Sequence, residues 1–197
     1  MATEIELKAR LIDHEAVKER LSALGNFHGS FNKIDSYWFS EQTAVPTVRV
    51  RRENRLNEGG TAYAYVFVTC KTKEISGGIE INDEREFTVS DAGLFEEMLG
   101  WLGLHKSICK EKNGWVWAIP AAHAGETVIH AEISLVSGLG WFLELEIIAA
   151  DHNAQTLADS RKRLFALLEK LEIPVHQIED RPYTSMLEDI AHGRNRI

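Results

Sequence analysis

Charged residues recur with a period of two in several otherwise apolar segments of the chain. Glu4, Glu6 and Lys8 alternate with apolar residues near the start, and Glu144 and Glu146 repeat this arrangement late in the sequence. Successive side chains of a β-strand point to opposite faces of a sheet, so this period predicts strands with one charged and one apolar face. We expect strands over residues 2–11, 34–39, 47–53, 62–73, 79–89, 106–118, 127–136 and 141–149.

Three segments between these strands have the spacing of amphipathic helices. The first begins after Asp13, a residue suited to cap it, and the second after Ser90. The third spans about 153–171, has leucines along one side, and is followed by Pro174. Asn113-Gly114 has the composition of a hairpin turn, but residues 120–126 are the better turn because they combine proline, glycine and small residues. Residues 106–118 are therefore predicted to form one strand.

The alternation also predicts the architecture. Amphipathic helices are suited to cover the apolar face, whereas charges of both signs would line the inside of a curled sheet. We therefore predict an α+β fold, in which an antiparallel β-barrel of about eight strands has a polar, charged interior and helices on its outside. The length of 197 residues suits one domain covering residues 1–197.

The composition limits the classes of partner. The net charge of −8 and the pI near 5.5 argue against a general nucleic-acid-binding protein. No apolar stretch of membrane-spanning length and no export signal is present, so we expect a soluble, cytoplasmic protein without a membrane partner. Cys70 and Cys109 lack the spacing of a metal or redox pair, and the histidines lack that of a zinc site. A homodimer is left open.

The charged positions suggest an anion-binding site that also holds a metal. Arginine and lysine donate hydrogen bonds to phosphate oxygens, and paired glutamates hold hard divalent ions such as Mg²⁺ or Mn²⁺. Both sets are typical of a site that handles triphosphates. The basic candidates are Lys8, Arg49, Arg51, Lys71, Lys73, Lys110 and Lys112. The acidic candidates are Glu4, Glu6, Glu132, Glu144 and Glu146, with Glu84 and Glu86 as further acids.

Several of these motifs together resemble a known family. They are Glu4-x-Glu6-x-Lys8, Arg49-x-Arg51, Lys71 after an apolar strand, Lys110-x-Lys112, the Ser137-Gly-Leu-Gly-Trp-Phe-Leu-Glu-Leu-Glu146 segment, and Asp180-Arg-Pro-Tyr183 with Leu187. In this order they resemble the CYTH domain of the triphosphate tunnel metalloenzymes. The resemblance implies an eight-stranded antiparallel tunnel and an enzyme that depends on a divalent metal. It implies substrates such as inorganic tripolyphosphate, thiamine triphosphate or nucleoside triphosphates, the last cyclised to cyclic AMP by class IV adenylyl cyclases.

The resemblance also implies roles for single residues. Glu4, Glu6, Glu144 and Glu146 correspond to acids around the metal, and the basic candidates apart from Lys73 correspond to phosphate contacts. As catalytic residues we assign Glu4, Glu6, Lys8, Lys71 and Glu132. Two positions depart from the family pattern: Glu132 stands where aspartate is common, and Thr184 follows Tyr183 where a basic residue is common.

Hydrolysis is the first choice among the activities. It requires only phosphate contacts, metal ligands and an enclosed cavity, whereas cyclisation also requires an anchored base. Tyr63, Tyr65, Phe67 and Trp38 are able either to stack on a base or simply to pack. The alternatives are a class IV adenylyl cyclase and a non-catalytic polyphosphate- or nucleotide-binding module. The binding module is disfavoured because acids on the inner face would repel an anion unless a metal lay between them.

Overall fold

The computed structural model describes residues 3–40, 47–121, 123, 126–151 and 153–193, with the side chains of 71–76 and 82–84 left out. The strands are β1 (Thr3–Arg10), β2 (Asn26–Phe39), β3 (Val48–Leu56), β4 (Ala62–Ser76), β5 (Ile79–Thr88), β6 (His105–Ile119), β7 (Ile129–Val136) and β8 (Gly140–Ala149). The α-helices are α1 (His14–Leu24), α2 (Ala92–Trp101), α3 (Ala154–Lys170) and α4 (Tyr183–Ala191), and a short 3₁₀ helix covers Val175–Gln177.

The strands form one antiparallel sheet that closes on itself. Their order is β1-β5-β4-β3-β2-β6-β7-β8, and β8 pairs with β1 to complete a barrel. The first and last strands are therefore neighbours, although more than a hundred residues separate them. The predicted α+β fold with a curled antiparallel sheet is confirmed.

The apolar faces of the strands are covered from outside by helices. Leu7 of β1 and Leu145 of β8 are fully buried in the same cluster as Leu164 and Leu168 of α3. On the other side of the barrel, Val50 of β3 packs with residues of α2. Burying one such side chain contributes about 1.5–3 kcal/mol, so these contacts fix which face of each strand points outward.

The helix starts agree with the sequence at two of three positions. Asp13 caps α1, where its Oδ1 accepts a hydrogen bond from the backbone nitrogen of Ala16 at 3.0 Å. The prediction that Ser90 caps the second helix is wrong, because Asp91 occupies that position and accepts from the Leu94 nitrogen at 3.0 Å. The helix begins one residue later than predicted, which brings the aspartate to the position that caps.

The structure corrects the expected start of β2 and confirms that β6 is a single strand. β2 begins at Asn26 rather than at residue 34, and the pairing of β2 with β6 shifts register between Phe27 and Gly29. Gly29 has φ of 123°, and a Cβ there would lie 2.0 Å from the Leu56 carbonyl oxygen, so only glycine fits this irregularity. β6 runs unbroken through Asn113-Gly114, as predicted.

In the part of the chain that the structure describes, no helix has the length and apolar character needed to cross a membrane.

Candidate active site

The charged residues of β1, β7 and β8 lie side by side on one face of the sheet. Lys8 is opposite Glu144 and Glu6 is opposite Glu146 in the β1–β8 pairing, while Glu132 is opposite Glu144 in the β7–β8 pairing. The alternate residues of these strands are the ones buried under the helices, so the charged set projects from the opposite face of the sheet. Residues from both ends of the chain are thereby brought together.

Lys112 of β6 bridges two of these carboxylates. Its Nζ lies 2.5 Å from Glu132 Oε1 and also contacts Glu144, and Lys33 of β2 pairs with Glu132 Oε2. Burial alone would lower the pKa of Lys112, whose side chain is 4% exposed, but the two carboxylates outweigh burial and raise this pKa. Burial would likewise raise the pKa of Glu144, but Lys112 above all holds it well below the usual value. Lys112 and Glu144 are therefore charged at neutral pH.

Asp35 of β2 is the centre of a second buried network. Its carboxylate accepts hydrogen bonds from Arg51 Nε at 2.7 Å and Arg51 Nη2 at 2.9 Å, and Lys110 Nζ lies 3.1 Å from Oδ2. The hydroxyl of Tyr37 donates to the same Oδ2 at 3.3 Å. The Asp35 side chain is 0% exposed, and burial would raise its pKa, but Arg51 and Lys110 hold that pKa well below its usual range. Asp35 thus fixes the position of two phosphate-contact candidates.

Arg49 of β3 belongs to a third, more open group. Its Nη2 donates to Thr69 Oγ1 at 2.8 Å and lies 3.5 Å from Glu86 Oε2, and the Thr69 hydroxyl donates to the same carboxylate at 2.9 Å. Farther along β3, Arg55 pairs with the buried Glu53. The arginines on this face of β3 are therefore held by carboxylates of β2, β3 and β5.

The ring of Tyr183, at the start of α4, lies against three of the lysines. The Nζ atoms of Lys8, Lys110 and Lys112 lie 4.5, 5.0 and 5.5 Å from its centroid, within the range of a cation–π contact. The ring is buried and packs edge-on against Phe142, with centroids 4.9 Å apart. Burial, together with nearby carboxylates, raises the pKa of Tyr183 well above its usual value, so its phenol stays neutral.

The segment before Tyr183 is attached to β1. Ala9 forms an isolated bridge with Ile178, and the Lys8 Nζ donates to the Arg181 carbonyl oxygen at 2.6 Å. Glu179 accepts from Arg10 Nε at 3.0 Å and from Arg181 Nε and Nη2 at 2.9 Å each. These hydrogen bonds outweigh the effect of burial and lower the pKa of Glu179 to about 2. Arg181 therefore pairs with Glu179 in this structure, and the segment holds Tyr183 over the lysines.

The structure brings most of the predicted site residues to one face. Glu4, Glu6 and Glu146 lie half-buried on the adjacent strands β1 and β8. The side chains of Lys71, Lys73 and Glu84 lie outside the described residues. Sequence reasoning missed Lys33 and Asp35. Lys33 precedes the expected strand over 34–39, and Asp35 is the only charged residue within it, so no alternation of charges marked either residue.

A metal site is supported by ligand chemistry but not by a formed cluster. Among the described residues, no three His, Cys, Asp or Glu side chains are arranged to hold an ion. Glu132 and Glu144, two of the expected ligands, contact lysines instead. The carboxylates of Glu4, Glu6 and Glu146 offer oxygen ligands of the kind that Mg²⁺ and Mn²⁺ prefer. The residues present therefore fit a hard divalent cation.

Comparison with known proteins identifies the family. A family model described as the CYTH domain matches residues 2–183. The chain belongs to this family. No curated protein sequence matches this CYTH protein.

Solved structures share the fold at low sequence identity. The PH1819 protein of Pyrococcus horikoshii is 20% identical with a TM-score of 0.73, and the match covers 95% of this chain and 99% of that one. A candidate adenylate cyclase from Vibrio parahaemolyticus is 19% identical with a TM-score of 0.71, covering 94% and 97%. A candidate adenylyl cyclase from Hippeastrum with a dominant triphosphatase activity is 14% identical with a TM-score of 0.62, covering 98% and 97%. At these identities the likeness concerns the fold.

Proposed function

We propose that this CYTH protein is a divalent-metal-dependent hydrolase of triphosphates that binds its substrate inside the barrel. The observation that carries this proposal is the set of buried cations on the inner face, of which Lys33, Lys110 and Lys112 are each held by a carboxylate of another strand. A buried ion pair often adds little stability over apolar residues of similar size, because both charges lose their hydration. A barrel that needed only a stable core would have little use for so many. We therefore interpret the inner face as a polar tunnel kept for an anionic ligand.

The ion pairs suggest how a triphosphate would enter. Phosphate oxygens are alternative partners for Arg51, Lys110 and Lys112, and the planar Arg51 fork suits bidentate contact with them. When Lys112 turns to a phosphate, Glu132 and Glu144 lose the ammonium that separates them. The two facing carboxylates would then repel each other and the substrate unless a cation joined them. The triphosphate and a divalent ion should therefore bind together.

The same exchange would assemble the metal ligands. Glu4, Glu6, Glu132, Glu144 and Glu146 would hold Mg²⁺ or Mn²⁺. When bound, such an ion would supply positive charge to neutralise the phosphates and would favour attack by water.

The remaining residues hold the phosphates and balance charge. Lys8, buried between Glu144 and Tyr183, is placed to stabilise charge that develops on a phosphate oxygen. Tyr183 stays neutral and so adds no repulsion. Lys110 and Arg51 keep the phosphates in line, since Asp35 positions both. Lys71 and Lys73 are proposed as further phosphate contacts.

The proposal is tested by measuring binding and products in the same preparation. Calorimetric titration with tripolyphosphate should give at least about tenfold tighter binding when Mg²⁺ or Mn²⁺ is present, and each ligand should favour the other equally. Orthophosphate should be released, and excess chelator should abolish release. Tight binding without turnover would instead indicate a binding module. Cyclic AMP and pyrophosphate as the main products from ATP would indicate an adenylyl cyclase.

A further inference from the structure

Helix α2 carries apolar side chains on two opposite faces. Phe95 and Leu99 pack toward the barrel, in the same cluster as Val50 of β3. The other side of the helix is also apolar, yet its Leu94 and Met98 are exposed. A helix that packs on a sheet by one face normally presents polar residues to water on the other. Apolar residues on both faces are typical of a helix that is covered from both sides.

The exposed apolar residues form one continuous stripe. Leu94, Met98 and Trp101 are spaced by four and three residues, which places them on one side of the helix. Leu102 directly follows the helix, and Phe87 of β5 packs edge-on against a phenylalanine of α2, with ring centroids 6.2 Å apart. Trp101, Leu102 and Phe87 are 72%, 74% and 55% exposed. Together the five expose roughly 600 Å², close to the ~800 Å² that each partner buries in a standard interface.

Two exposed glycines lie beside this stripe. Gly93 and Gly100 are seven residues apart within the same helix. Glycine weakens the interior of a helix relative to alanine, because it loses more backbone freedom on folding. A Cβ at Gly100 would meet no neighbouring element of the described chain within 4 Å, so packing inside one chain does not require glycine there. A second helix packed against α2 would use it, since glycine lets two backbones approach closely.

The charges along one edge of the stripe fit a second copy of the same chain. Arg52 Nη2 lies 2.9 Å from Glu96 Oε2, Lys106 Nζ lies 3.8 Å from Glu96 Oε1, and Glu97 is exposed next to them. This edge therefore carries two acids and two bases, although the whole chain has a net charge of −8. A two-fold axis brings the same edge of both copies together, so a self-complementary edge needs both signs. A basic partner would instead favour a purely acidic edge.

We propose that α2 is a dimerisation helix, through which two copies of the chain pack as antiparallel helices about a two-fold axis. Met98 lies at the middle of the stripe and meets its counterpart near the axis, while Trp101 of one copy lies against Leu94 of the other. Glu97 of each copy is then placed to pair with Lys106 of the other. Because α2 lies outside the barrel, this pairing leaves the interior free, and it does not depend on the proposed hydrolysis.

The test places charges at the two-fold axis of the full-length chain. In sedimentation velocity the wild type should have twice the 22.2 kDa mass of one chain. Met98→Asp and Met98→Lys each bring like charges together at the axis, so each should raise the dissociation constant of the dimer at least about 100-fold. An equimolar mixture of the two variants should form the dimer again, because opposite charges then face each other.

A matched variant controls for the added charge. Leu56 of β3 is 47% exposed, against 44% for Met98, and Leu56→Asp should leave the dimer intact. The melting temperature should rise with protein concentration for the wild type and for Leu56→Asp, but not for Met98→Asp alone.

Four results would overturn the proposal. They are a wild type that stays monomeric up to about 100 μM, a dimer that persists in Met98→Asp, equal dissociation in Leu56→Asp, and a mixture of the two Met98 variants that fails to associate. If the monomeric wild type cosedimented with phosphatidylcholine vesicles, the stripe would be assigned to a lipid surface instead.

Discussion

The ion-pair network predicts that Asp35→Asn strongly lowers the stability of the folded protein. The change preserves the shape of the side chain but removes the charge that neutralises Arg51 and Lys110. Both cations are largely buried, so they would stay in the interior without their partner. Removing one member of a buried ion pair costs about 3–5 kcal/mol. That is a large part of the total stability of a typical domain, which is about 5–15 kcal/mol.

The expected effect is measurable as a loss of thermal stability. For a chain of this size, 1 kcal/mol corresponds to about 2–4 °C, so the melting temperature should fall by about 6–20 °C. The matched control is Glu96→Gln. Glu96 also accepts two hydrogen bonds from one arginine, Arg52, at 3.2 and 2.9 Å, but the Arg52 side chain is 37% exposed. Exposed pairs contribute about 0–1 kcal/mol, so this variant should melt within about 4 °C of the wild type.

Added tripolyphosphate tests whether Arg51 and Lys110 bind an anion or have only a structural role. Without Asp35, the cations have no competing carboxylate, so tripolyphosphate should raise the melting temperature of Asp35→Asn more than that of the wild type. An equal rise in both proteins would show that Arg51 and Lys110 do not receive the anion. A melting temperature of Asp35→Asn close to that of Glu96→Gln would refute the energetic reasoning itself.

Two further predictions concern the carboxylates. Glu146→Gln removes one expected metal ligand with little change of shape, and kcat for tripolyphosphate should fall by about 10² to 10³; an unchanged rate would remove Glu146 from the metal site. Glu179→Gln should lower the free energy of unfolding at pH 7 by about 1–2 kcal/mol. This is less than expected for a fully buried ion pair, because the partner arginines are partly exposed. The folded pKa of Glu179 is lowered from 4.5 to about 2, so its contribution is complete above pH 4.5 and is lost as the pH falls toward 2. Urea midpoints of both proteins should therefore converge over that window, and a constant difference would contradict the assigned pKa.

Alternation of charged and apolar residues was sufficient to predict most strands and the face that each presents. It succeeded in β1, where Glu4, Glu6 and Lys8 alternate with buried apolar residues, and in the middle of β8, where Glu144 and Glu146 do so. It failed in the first half of β2, because Gly29 and its bulge interrupt the period. Helix α4 was not predicted at all. It spans only Tyr183–Ala191, and Pro182 before it makes no side-chain capping bond that the sequence could reveal.

The partners of each charge could not be predicted, because they depend on the order of the strands rather than on their sequences. Asp35 meets Arg51 and Lys110 only because β2 lies between β3 and β6. The periodic pattern identified both cations but gave no reason to place them around a common carboxylate. The kinds of charge on one face therefore allowed the sequence to predict an anionic ligand, but not the ion pairs within the site.

The order of the strands determines which ion pairs these charges form in the absence of a ligand. Closure of the barrel sets Lys8 opposite Glu144, and Lys112 then links that acid to Glu132. A resting interior of this kind stays neutralised without a ligand, so the cost of burying its charges is offset within the protein. Because of this pairing, an anion that binds alone must break ion pairs and leave the carboxylates without a positive partner. An anion that binds with a divalent cation provides a new partner for the lysines and another for the carboxylates. We infer that the proposed dependence on metal would originate in this exchange, and that it would weaken if Lys112 lost its carboxylate partners.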